Sequence, residues 1–97
     1  MASISQAVKA LEPQADVILF GSRARNEAKE DSDWDILILL PYAVNLATEQ
    51  RFQHKLFELE LAFEECFSTF VYSKQEWESK HYVTPFYKNV VEEGIKI

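Results

Sequence analysis

The chain has 97 residues, 47% hydrophobic and 13% aromatic, enough for one small folded domain over residues 1–97 and too apolar for a disordered chain. Its 16 acidic and 10 basic residues give a formal charge of −6, which argues against unaided binding of a long nucleic acid, because phosphate neutralisation needs a basic surface. A single cysteine cannot form an internal disulfide, no apolar run reaches membrane-spanning length, and Met1–Gln6 lacks the pattern of a signal peptide, so a soluble cytoplasmic protein without membrane contact is expected.

Ser3 and Gln6 have the spacing of a capping box, and Ala7, Val8, Ala10 and Leu11 follow at near-helical intervals until Pro13 ends the pattern. Val17-Ile18-Leu19-Phe20 reads as a strand buried on both faces. Gly21 breaks it, and Ser22 is placed to cap a short helix running to about Ala28. Ile36 to Leu40 is a second buried strand, closed by Pro41. From Leu46 to Glu65 the pattern is helical, with Phe52, Leu56, Leu59 and Phe63 in one apolar stripe.

Cys66 to Tyr72 is β-branched and aromatic and has strand length, with Cys66 expected in the core. An irregular segment around Trp77 and His81 leads to a last helix, with Thr84 as N-cap, Pro85 in its first turn and Gly94 at its C-terminal cap. Three strands with helices between them predict an α/β (α+β) fold: a small mixed sheet covered by helices.

The residues that carry chemistry lie between the first two strands. Gly21-Ser22 ends one strand, and Asp33-Trp34-Asp35 opens the next after ten intervening residues. Glycine lets a phosphate approach the backbone, and the helix-start N–H groups and the Ser22 hydroxyl can donate to it. Arg23 and Arg25 are near enough to neutralise phosphate oxygens.

Asp33 and Asp35 alternate with Trp34, so both carboxylates point to one face of the strand, roughly 7 Å apart along it. Magnesium favours such oxygen ligands together with substrate phosphates. These parts suit a nucleoside triphosphate bound with Mg2+, and in-line transfer of its nucleoside monophosphate to an acceptor hydroxyl.

Phe20-Gly21-Ser22-Arg23-Ala24-Arg25 and Asp31-Ser32-Asp33-Trp34-Asp35-Ile36-Leu37-Ile38 resemble the nucleotidyltransferases of the polymerase-β superfamily, in particular its minimal nucleotidyltransferase branch. The core of the resemblance covers roughly residues 16–41; the element order and the ending from Thr84 to Ile95 extend it at lower specificity. It implies the nucleotidyltransferase fold, ATP or another triphosphate as substrate, and Mg2+. Gly21 and Ser22 match phosphate-binding positions, and Asp33 and Asp35 match catalytic metal ligands. The resemblance further implies a HEPN-type toxin as partner, with transfer of AMP to a tyrosine of the toxin.

The chain departs from the family at one place. The third carboxylate expected on the strand after the long helix is absent from Cys66–Tyr72. Ser68 or Thr69 stands in for it, or Glu64 or Glu65 if that strand begins earlier. Two functions are therefore compatible with the sequence: an active nucleotidyltransferase, and a catalytically weak nucleotide-binding antitoxin or interaction module. A small-molecule acceptor is disfavoured, since 97 residues leave no room for a second domain to hold one. His54, His81, Trp34 and Trp77 read as surface or packing residues. Tyr82, Phe86 and Tyr87 fit either partner contact or packing of the last helix.

Overall fold

The computed structural model describes residues 2–21, 24, 33–79 and 81–97. In chain order the elements are α1 (Ala2–Leu11), β1 (Asp16–Phe20), β2 (Trp34–Leu40), α2 (Leu46–Phe63), β3 (Phe67–Ser73), α3 (Lys74–Ser79), α4 (Pro85–Glu93) and β4 (Ile95–Lys96). The strands form one sheet in the order β3-β2-β1-β4; β1 runs antiparallel to β2 and β4, while β2 and β3 are parallel. The sheet is thus mixed, as expected.

Side-chain alternation divides the sheet into two apolar faces. On one, Val17, Ile36, Ile38, Leu40 and Val71 pack with Ile4 and Val8 of α1 and Phe52 and Leu56 of α2. On the other, Phe20, Leu37 and Leu39 pack with Trp77 of α3 and Val90 of α4. Because β2 is covered on both faces, Ile36 to Leu40 are all buried, which explains why the strand reads as a continuous apolar run.

Local chemistry sets most of the boundaries. Asn45 caps α2, its Oδ1 accepting from the Thr48 N–H at 2.8 Å and from the Thr48 hydroxyl at 3.0 Å. The helix leaves through Glu64 in a left-handed conformation, φ 55°. Thr84 caps α4 as expected, accepting from the Tyr87 N–H at 3.1 Å, with Pro85 in the first turn. Gly94 closes α4 with φ −69°, so its role is spatial: a Cβ there would collide with the Val90 carbonyl and Ile18.

Several expectations need correction. Ser3 lies inside α1, which starts at Ala2, so it does not act as the N-cap. Phe63 is the terminal residue of α2 and stays 46% exposed, because the chain turns away there; only Phe52 and Leu56 of its stripe are fully buried. Cys66 is exposed rather than in the core, since it precedes β3; its carbonyl accepts from the Trp34 N–H at 2.8 Å.

Trp77 belongs to a regular helix, α3, too short for its periodicity to show in the sequence. A fourth strand, β4, pairs Ile95 and Lys96 with Leu19 and Ile18. Lys96 and Lys74 both approach the Asp16 carboxylate, at 3.1 and 3.7 Å, tying β4 and α3 to the start of β1. The short helix expected from Ser22 to Ala28 lies, apart from Ala24, outside the described residues.

Candidate active site

The register of the strands brings the sequence motif together. Phe20 is opposite Asp35 across the β1–β2 pair, and Asp35 is level with Ser68 across the β2–β3 pair. Paired residues share a face, so Phe20, Asp35 and Ser68 form one row across the sheet on the α3–α4 side. The next row is Ile18, Leu37 and Phe70. Asp33 lies just before β2, two residues from Asp35, and is exposed. Its Oδ2 receives a long contact from the Ser68 hydroxyl at 3.5 Å.

Gly21 follows Phe20 directly and has φ +75°, a left-handed conformation that disfavours any residue with a Cβ. A Cβ at this position would also overlap a carboxylate oxygen of Asp35. The missing side chain therefore both permits the turn and leaves room for that carboxylate. The Ala24 N–H donates to the Gly21 carbonyl at 3.1 Å. Ser22, Arg23 and Arg25, the other expected phosphate contacts, lie outside the described residues.

The register separates the alternatives for the missing third carboxylate by position. Ser68 is the β3 residue beside Asp35, on the same face. Thr69 is level with Ile36 and points to the opposite face, where it lines a cleft of about 640 Å³ with Phe67, His54 and Phe57. Glu64 and Glu65 precede β3, which begins only at Phe67. Among the described residues, no three His, Cys, Asp or Glu side chains form a cluster able to hold a metal ion.

Asp33, Asp35 and the Ser68 hydroxyl nonetheless offer only oxygen donors, with the Asp35 carboxylate seated against the side-chain-free Gly21, a chemistry that fits a hard divalent cation bound together with a phosphate.

The apolar surroundings of this row are not legible in the sequence pattern. Phe20, Phe70 and Phe86 form a ring cluster, with centroids 6.0 Å apart for Phe20–Phe70, 5.4 Å for Phe20–Phe86 and 5.2 Å for Phe70–Phe86. The position of Phe20 immediately before Gly21 is the one signal of them. The surface and packing roles expected elsewhere hold. His54 is exposed beside Glu58, while Trp77 is buried, and His81 packs on Tyr72 with centroids 4.3 Å apart. Phe86 packs inward, whereas Tyr82 remains 58% exposed. The Tyr87 hydroxyl donates to Glu78 at 3.0 Å, and this bond to a carboxylate raises the Tyr87 pKa above the ordinary phenol value.

A family model described as a nucleotidyltransferase domain matches residues 1–97. Among curated proteins, no significant sequence match is found. Among solved structures, a toxin–antitoxin crystallised with AMP-PNP superposes with a TM-score of 0.71 at 19% identity, covering 98% of this chain and 69% of that one. Two mutant forms of the toxin–antitoxin MntA-HpeT give TM-scores of 0.68 and 0.69 at 17% and 18% identity. They cover 98% and 99% of this chain and 69% of theirs. At these identities the likeness is one of fold, and that fold is the expected one.

Proposed function

The chain belongs to the nucleotidyltransferase domain family, and on that premise we propose that it uses ATP and Mg2+ to transfer AMP to a hydroxyl on a partner protein. The observation that carries this reading is the convergence of Gly21 and Asp35: the glycine that ends β1 makes space for the carboxylate that opens β2. Nucleotidyltransferases of this fold generally use a divalent metal.

In this reading Asp33 and Asp35 hold Mg2+, and Gly21 lets the β- and γ-phosphates approach the backbone. Ser22, Arg23 and Arg25 contribute donors to those phosphates. Mg2+, when bound, supplies positive charge that polarises the α-phosphate and offsets charge developing in the transition state. The acceptor hydroxyl gives its proton to solvent water, its oxygen bonds to the α-phosphorus, and pyrophosphate departs with the electrons of the broken P–O bond. The chain's part is positioning and charge placement; no covalent enzyme intermediate is needed.

The partner is proposed to be a HEPN-type toxin with an acceptor tyrosine. Support comes from the toxin–antitoxin complexes that share the fold, one of them solved with AMP-PNP. One MntA-HpeT form carries glutamates in place of two aspartates spaced as Asp33 and Asp35 are here.

A second reading is favoured by Ser68. A hydroxyl beside Asp35 supplies neither the charge nor the basicity of a carboxylate, which suits a slow enzyme or a nucleotide-binding antitoxin. Incubation with labelled ATP, Mg2+ and the candidate partner separates the two. Label on the partner that disappears with Asp33→Ala and Asp35→Ala supports transfer; a tight unlabelled complex, unaffected by those changes, supports the second reading.

A further inference from the structure

Phe70 combines a defined place with an unusual exposure. It follows Ser68 by two residues on β3, so its side chain is on the face of Asp35, displaced from the carboxylate row by about 7 Å. Phe20 and Phe86 brace it from within the protein, at centroid distances of 6.0 and 5.2 Å. Phe20 is 9% exposed, yet Phe70 is 37% exposed. β3 is the outer strand of the sheet, so a planar ligand can reach this ring from solvent without displacing the core.

We propose that Phe70 is the stacking platform for the nucleobase of the triphosphate held at Gly21, Asp33 and Asp35. The inference rests on the nucleotide site proposed above and adds the residue that engages the base. A nucleotide whose phosphates lie over the first row needs its sugar and base to extend away from them. The Phe20–Phe70–Phe86 cluster is the apolar surface continuous with that row. Because two neighbouring rings already fix Phe70, little freedom is lost when a base stacks on it. The contact is between an aromatic face and a π-system, so it favours any nucleobase over none and reads no hydrogen-bond pattern.

The test compares ATP with inorganic tripolyphosphate, each with Mg2+, by calorimetric titration. Phe70→Leu keeps an apolar side chain against Phe20 and Phe86 but removes the aromatic face, and Phe70→Trp restores one. Thermal unfolding establishes that both variants are folded. Loss of base stacking weakens binding by about fivefold or more. Phe70→Leu is expected to lose that factor for ATP while binding tripolyphosphate like the unaltered protein, and Phe70→Trp to retain ATP affinity. Phe57→Leu, on the opposite face, should change neither.

Unchanged ATP affinity in Phe70→Leu, or equal weakening of both ligands, overturns the assignment of Phe70 alone. Failure of the unaltered protein to bind either ligand overturns it together with the nucleotide site.

Discussion

Gly21→Ala gives the sharpest perturbation of the proposed site. The native φ of +75° is left-handed, which costs a residue with a Cβ about 1–2 kcal/mol. The new methyl would also overlap a carboxylate oxygen of Asp35, and relieving such overpacking typically costs about 1–3 kcal/mol. Even the lower end of the sum, about 2 kcal/mol, lowers the Tm of a domain this size by roughly 10 °C.

The same displacement moves Asp35 from its place beside Ser68, so ligand binding should suffer as well. Saturating Mg-ATP at about 100 times Kd stabilises a binding-competent protein by roughly 2.7 kcal/mol. Thermal unfolding with and without Mg-ATP reads both effects. Gly21→Ala should melt earlier and lose most of the ligand-induced rise. Gly94→Ala is the comparison: its Cβ would meet the Val90 carbonyl and Ile18, one row along the sheet, and not Asp35 itself, so it should melt earlier yet keep the rise. A Gly21→Ala protein with the unaltered Tm and the full ligand-induced shift would refute this reasoning.

Three further outcomes are expected. Ser68→Asp places a third carboxylate level with Asp35; it should lower stability without metal by about 0.2–1 kcal/mol, tighten divalent-ion binding and raise the transfer rate at least about tenfold, whereas Thr69→Asp on the opposite face should not. Trp77→Ala removes a buried ring packed against Tyr72, Phe86 and Tyr87 and should cost about 3–5 kcal/mol in urea unfolding; a loss below about 1 kcal/mol contradicts that packing. Spectroscopic titration should show Tyr87 ionising above the usual phenol range, and Glu78→Gln should bring it down. Since the folded-state value is the higher one, this hydrogen bond supports the fold below the ordinary phenol pKa and ceases to do so as pH rises through the shifted value.

The sequence announced the centre of the molecule more clearly than its edges, for physical reasons. β2 is covered on both faces, so Ile36-Leu37-Ile38-Leu39-Leu40 cannot be anything but apolar throughout. Asn45, Thr84 and Pro85 act within their own helices, and at Thr84 and Pro85 that local chemistry was visible. β4 was hidden because two residues carry no periodicity; only its pairing with Ile18 and Leu19 makes it a strand. Cys66 looks like core in the sequence because the apolar run begins one residue before β3 does. In the site, the spacing of Gly21, Asp33 and Asp35 could be read directly. The choice between Ser68 and Thr69 could not, because a one-residue change of register exchanges the two faces. The role of Phe70 likewise depends on which strand lies beside β2.

The central claim is that Gly21, Asp33 and Asp35 together hold a triphosphate through a divalent ion. Calorimetric titration of ATP with and without Mg2+, repeated on the Asp33→Asn and Asp35→Asn proteins, tests it most directly. Saturable binding that requires Mg2+ and is lost in both variants is the predicted result. Binding that is indifferent to Mg2+ and to both aspartates would contradict it.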